Sequence, residues 1–391
     1  NPMLVSELGG RYVNCKTGIL VALGINHPID VHIKGAVFED FPFNSTAIDL
    51  QGWIRNVRIT DCSGIQPVPN PNNSNTNTRA IHILRPNSQA NIEIDHNNFN
   101  SFDTGMRITG LSSADMKVSI HDNEFDMRLY SNAGILLVGL DQGAHNGQVN
   151  IANNTFKRTF GNATSLVSLL NLTAPRIQGN IFETTTSNNQ NYTGLRMNVV
   201  KGSQVYCNTF SGFNNDITYN GNCQFSGLIR NELGVINVET ATNVGTIEGT
   251  TANDAGNVGN TGIGSSITIK LPQGCVSPIQ FISSNPSMFT SLPNTCTVSV
   301  SPCTSAVCAV EPKCPDNSLA AGPFSRTTQV NTNELDWDAL ANPDSLLLVN
   351  YFFDESREYL IRLANVSQKD TFATNTYNLG MFKLAYLSIN D

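Results

Sequence analysis

The chain has 391 residues, of which only 14% are Asp, Glu, Lys or Arg and 40% are hydrophobic, with a formal charge of −8. Asn contributes 50 residues and Gly 30. The lack of a strict Gly period excludes a collagen, and the apolar content excludes a disordered polyelectrolyte. With no Lys/Arg cluster a nucleic-acid partner is excluded, and no apolar run reaches the roughly twenty residues of a membrane span.

Asn1 opens the sequence without a charged-then-apolar leader, so any secretory signal is expected to have been removed or to lie upstream. From about residue 10 to 240 an internal repeat dominates. One half reads apolar-x-apolar-x-x-Asn-x-Phe. It occurs as Ile94 to Phe99, Ile120 to Phe125, Ile151 to Phe156 and Ile177 to Phe182, then as Cys207-Asn208-Thr209-Phe210 and a fading Ile229 to Leu233. Its asparagines, Asn97, Asn123, Asn154, Asn180, Asn208 and Asn231, are separated by 26, 31, 26, 28 and 23 residues. The other half is a short alternating strand, often opened by Thr-Gly, as at Thr17-Gly18-Ile19, Thr104 to Ile108 and Thr193 to Met197.

No element in this stretch has the ten or more residues at 3.6 spacing that a helical solenoid needs, and the unit is too short for a four-stranded propeller blade. A unit with two or three short period-2 strands fits one turn of a parallel β-helix, whose turns bury their apolar faces only by stacking about 4.8 Å apart. The predicted fold is all-β: a right-handed parallel β-helix of about eight to ten coils over residues 1–266. In it the Asn residues occupy a bend that demands a left-handed backbone and bond one another in a ladder. Phe99, Phe125, Phe156, Phe182 and Phe210 stack inside.

The stacked coils resemble the right-handed parallel β-helix shared by pectate lyases, polygalacturonases and many surface proteins. The Asn-x-Phe coils, Cys207-Asn208-Thr209-Phe210, Gly221-Asn222-Cys223 and the Cys/Pro linker resemble large secreted proteins of Bacteroidota. That resemblance covers residues 10–260 well and implies a fold, not an activity.

After the coils the repeat decays through Gly/Asn/Thr-rich sequence. Residues 267–325 read as a disulfide-rich linker or mini-domain and 326–391 as a helical segment, the start of a helical repeat region. The protein is therefore expected to be part of a longer chain or assembly. Nine cysteines, Cys15, Cys62, Cys207, Cys223, Cys275, Cys296, Cys303, Cys308 and Cys314, are disulfide candidates, since five fall within forty residues without the paired spacing or His of a zinc site. This places the chain outside the cell or at its surface.

Stacking lets the sequence be read as surface columns. One runs Leu20, Asp49, His82, Arg107, Leu136, Ser168, Arg196 and Thr218; another runs His32, Arg58, Glu93, Ser119, Asn150 and Arg176; the turns add Asp95 to His121 and His96 to Asp122. Asp49, His82 and Arg107 form the best catalytic candidate. A carboxylate would orient an imidazole base and a guanidinium would hold a uronate carboxylate, as in a polysaccharide lyase. The motifs of polygalacturonase-like enzymes, Asn-Thr-Asp, Asp-Asp, Gly-His-Gly and Arg-Ile-Lys, are absent, and no column supplies the two adjacent carboxylates of a glycosidase. The expected role is a non-enzymatic structural or adhesive module, a rigid stalk or filament-forming solenoid. A lyase or glycosidase and a glycan-binding module without turnover are the alternatives. No metal site and no cofactor are expected; glycans or further copies of the chain are the expected partners.

Overall fold

The computed structural model describes residues 3–302 except 23–27, 43, 66–77, 101, 112–114, 128–132, 140–147, 159–164, 185–191, 222, 224–225, 240–260, 263–265, 271–278, 284–286, 288 and 292–297. The predicted helical segment at 326–391 and five of the cysteines (Cys275, Cys296, Cys303, Cys308 and Cys314) lie outside these residues. The described residues belong to a unit spanning Met3–Asn317; Asn1–Pro2 and Ser318–Asp391 make up the other.

The chain winds as a parallel β-solenoid. Every third strand pairs with its equivalent one coil on, building parallel sheets of nine, ten and eleven strands. A representative coil places Asn91–Asp95 in the first sheet, Asn98–Asn100 in the second and Thr104–Leu111 in the third. The Asn-x-Phe segment is thus a short strand itself, and each coil has three sides. The third sheet continues through Ile267–Lys270 and Phe289–Ser291, and Ile279–Ser283 pairs with Val298–Pro302 in a separate two-stranded sheet.

Alternation decides which side chains enter. In the first sheet Ile33, Ile59, Ile94, Ile120, Ile151, Ile177, Val205 and Leu228 lie directly above one another in register, and all are buried. β-Branched side chains suit this position because their one preferred rotamer repeats from coil to coil. No coil could bury this face alone; the stack makes one continuous core.

The aromatic column follows the same logic. Phe125, Phe156, Phe182 and Phe210 stack with centroids 5.3, 5.0 and 4.6 Å apart and planes within 16° of parallel. Between Phe38 and Phe99 the column is broken, because Gly64 stands where these neighbours have a ring. There the line detours through Phe38, Phe41, Phe102 and Phe99, with successive centroids 6.0 to 6.5 Å apart. Phe102 occupies the space a side chain at 64 would need. The glycine of the Thr-Gly openings has a related purpose: a Cβ on Gly105 would lie 2.6 Å from both the Gly134 carbonyl oxygen and the Phe125 ring.

The asparagine ladder is continuous. Each Oδ1 accepts both the backbone N–H and the Nδ2–H of the ladder residue before it, from Asn97–Asn123 through Asn123–Asn154, Asn154–Asn180 and Asn180–Asn208 to Asn208–Asn231, at 2.9 to 3.0 Å. The other Nδ2 hydrogen goes to a main-chain carbonyl of the preceding coil, as from Asn154 to Ile120. The backbone role predicted for these asparagines is corrected. The left-handed residue is the one before each of them: His96, Asp122, Asn153, Gly179, Cys207 and Arg230, with φ between 49° and 62°. The turn therefore tolerates several residue types, while the side-chain amide of the following Asn closes it.

The disulfide expectation is corrected at three positions. Cys15, Cys62 and Cys223 are free thiols, whereas Cys207 is not free. Cys62 occupies a ladder position, its N–H donating to Asn97 Oδ1 at 2.9 Å. Burial pushes its thiol up to about 12. Cys62 and Cys223 behave as small buried apolar residues, a common use of cysteine.

Asp216 closes one of the last regular coils by accepting the N–H groups of Gly234 and of Val235, the latter at 2.8 Å. Burial raises its carboxyl from 3.8 to about 6, although both N–H groups and Lys270 pull the other way. The folded value lies above the unfolded one, so the fold favours the protonated form. That contribution is fully present below about pH 3.8 and is lost as pH rises through about 6. Relative to Asp216→Asn, the wild type is expected to lose on the order of 3 kcal/mol of unfolding free energy between pH 3.5 and 7. Urea titrations of both proteins at each pH check this; parallel profiles would contradict it.

Candidate functional site

The third sheet carries the predicted catalytic column in the predicted register. Asp49 pairs with His82 and His82 with Arg107 on consecutive coils, with Leu20 on one side and Leu136 on the other. The strands Thr46–Gln51, Arg79–Leu84 and Thr104–Leu111 bury Ile48, Ile81 and Met106, which forces the alternate residues outward. Asp49 and His82 form a true dyad: His82 Nδ1 lies 3.0 Å from Asp49 Oδ1, and Gln51 Nε2 donates to Asp49 Oδ2 at 2.8 Å. Burial works to raise the Asp49 carboxyl, but the hydrogen bonds from His82 and Gln51 and the charge of Arg79 leave it lowered, hence ionised. Arg107 stands on the next coil with a buried Nε that has no hydrogen-bond partner among the described residues. Burial, and after it the charge of Arg79, lowers its pKa.

An open groove of about 660 Å³ lies at the end of this face. Gln51, Gly52 and Trp53 form one wall; Arg85, Pro86, Asn87 and Ser88, in the turn after the next strand of the sheet, form the other. Gln51 thus both lines the groove and anchors the Asp49–His82 dyad. Trp53 leaves 40% of its surface exposed, whereas Phe38, Phe99, Phe125, Phe156, Phe182 and Phe210 are buried. Among the described residues, none that lines the groove is a carboxylate. The sequence does not point to the groove, because the opposing turn comes one coil later in an unremarkable Pro/Asn/Ser stretch.

The second column also keeps its register, His32 to Arg58 to Glu93 to Ser119 to Asn150 to Arg176. Beside it Asp95 pairs with His121. These columns converge at one point: Glu93, Asp95 and His121 bring one ligand-type atom each to within 4.8 Å of one another. Sequence reasoning assigned Glu93 and Asp95 to separate columns. Residues two apart on a strand share a face, and that signal was sufficient to join them. Burial pulls the His121 imidazole down, but hydrogen bonds to Asp122 and Glu93 and the charge of Asp95 outweigh it and lift the value to about 9.

Among the described residues no helix is long and apolar enough to cross a membrane. Comparison with models of known protein families, with curated proteins and with solved structures finds no match for this chain.

Proposed function

We propose that this chain is a rigid, non-enzymatic adhesive module of the cell exterior that meets glycans along the face of its third sheet. The observation that carries the reading is the exposed Trp53 ring at the wall of an open groove whose other side offers Arg85, Asn87 and Ser88. An aromatic face packs against the apolar face of a pyranose while amides and guanidinium groups bond its hydroxyls. A stacked-coil scaffold supports such a contact because its backbone bonds and core are shared between neighbouring turns, so the groove needs no ordering on binding. Resemblance to secreted Bacteroidota surface proteins, which rests on the Asn-x-Phe coils, and the supply of further outward polar columns agree with this reading.

A second reading is favoured by the Asp49–His82 dyad beside Arg107: a lyase in which His82 removes the proton next to a uronate carboxylate held by the guanidinium. A paired-carboxylate hydrolase has no such support, since no carboxylate among the described residues lines the groove.

Calorimetric titration with neutral and uronate-containing oligosaccharides separates the two. Saturable binding that weakens about tenfold in Trp53→Ala, a loss of roughly 1.4 kcal/mol, is expected, with no unsaturated product when uronate polymers are incubated with the protein. Absence of binding across the panel overturns the adhesive reading. Unsaturated product that disappears in His82→Ala replaces it with the lyase.

A further inference from the structure

The first sheet holds a cluster that neither reading of the third sheet uses. Glu93 and Asp95 lie on the strand Asn91–Asp95, and His121 ends the strand Lys117–His121 one coil on, directly paired with Asp95. His121 turns its two nitrogens to different partners. Nδ1 lies 2.8 Å from Asp122 Oδ2, while Nε2 faces Glu93 Oε1 at 3.7 Å. Two donors bound at about 2.0–2.2 Å to one ion stand roughly 3.3–4.2 Å apart, so this pair is already spaced for a shared ion. Asp122 then fills the role of the outer carboxylate that fixes a metal-binding imidazole in the right tautomer.

Asp95 supplies an independent observation. Its residue is only 4% exposed. Oδ2 takes His96 Nδ1 at 3.2 Å and lies 3.8 Å from Arg58 Nη2. Oδ1 is buried and has no hydrogen-bond partner among the described residues. A buried carboxylate oxygen without a donor is costly unless a cation meets it. The local charge agrees: Glu93, Asp95 and Asp122 gather three carboxylates around His121 against the guanidinium of Arg58.

We propose that Glu93, Asp95 and His121 bind one divalent transition-metal ion of the zinc class, stapling two neighbouring coils. One imidazole nitrogen with two carboxylate oxygens suits zinc and its neighbours; calcium and magnesium prefer oxygen alone. Three protein donors leave a fourth position for water. Glu93, the more exposed of the carboxylates, is the side from which the ion enters.

The untagged full chain, stripped with chelator and dialysed against Zn2+ alone, is expected to retain one equivalent. Co2+ in its place is expected to give the visible absorption of a nitrogen/oxygen site without a thiolate charge-transfer band. His121→Ala and Glu93→Gln should each weaken binding at least about tenfold, with circular dichroism establishing that both remain folded. Glu39→Gln, a surface carboxylate of the second sheet, should leave it unchanged. Glu93→Gln keeps the test decisive should His121→Ala unfold. No retained zinc, a thiolate band with cobalt, or full affinity in folded Glu93→Gln would each overturn the site.

Discussion

Asn154→Ala is expected to lower the unfolding free energy by about 4 kcal/mol. The amide sits mid-ladder and is fully buried. Its Oδ1 accepts Asn123 N–H and Nδ2–H at 3.0 and 2.9 Å, and its Nδ2 donates to Ile120 O and Asn180 Oδ1 at 2.9 and 3.0 Å. Truncation leaves two donors on the coil before without partners where no water reaches, and the penalty for each such group is roughly 1–3 kcal/mol. Asn180 suffers less, since its Oδ1 still accepts the Asn154 backbone N–H. Asn97→Ala, at the first rung, should cost less than Asn154→Ala, because its Oδ1 accepts the Cys62 N–H where Asn154 accepts two donors, and the pair Asn123→Ala with Asn154→Ala should cost less than the sum, because the same hydrogen bonds are removed only once. Urea unfolding of the four variants measures all of this. Equal losses at rungs 154 and 97, or strict additivity of the pair, would mean that the ladder is a row of independent turns.

The fold was legible because a solenoid repeats its local rules. Five consecutive coils repeat an apolar residue on the first strand, an amide at the bend and a ring two places later, so the copies at Asn97, Asn123, Asn154, Asn180 and Asn208 reveal both the winding and the register. Column neighbours such as Asp49, His82 and Arg107 then follow by counting alone. What depended on backbone geometry was not legible. The left-handed residue is His96, Asp122, Asn153, Gly179, Cys207 or Arg230, with no common side chain to mark it. Cysteine usage misled for a related reason. Cys62 stands at a ladder position as a small buried group, and nothing in its spacing distinguishes that from a disulfide partner.

The candidate sites were half legible for the same reason. The Asp49–His82 contact lies within one column, where counting suffices. The groove at Trp53 needs the turn at Arg85 to Ser88, and the Glu93–Asp95–His121 cluster needs two columns at once. The groove is set by where two turns meet, which residue count does not give, whereas the cluster follows once the two-residue period of the strand joins Glu93 to Asp95.

Phe156→Ala is expected to cost about 4 kcal/mol, and to do so locally. The ring is fully buried and stacked on both faces, 5.3 Å from Phe125 and 5.0 Å from Phe182. Removing it opens a cavity that the coil cannot close from the third sheet. A Cβ added at Gly134, the nearest small residue, would lie 2.8 Å from the Leu166 carbonyl oxygen whether or not the ring is present. Gly134→Ala should consequently fail to rescue Phe156→Ala, while Phe156→Leu, which keeps most of the volume, should cost less than half as much. Because each coil contacts only its neighbours, stability is a sum of coil and interface contributions. Amide hydrogen exchange in Phe156→Ala should therefore accelerate in the strands of Phe125 and Phe182 and remain unchanged at Phe38, on the far side of the aromatic detour. Uniform acceleration along the whole stack would mean that the coils unfold as one cooperative unit, with the Phe41–Phe102 detour transmitting the loss as well as the parallel stack does.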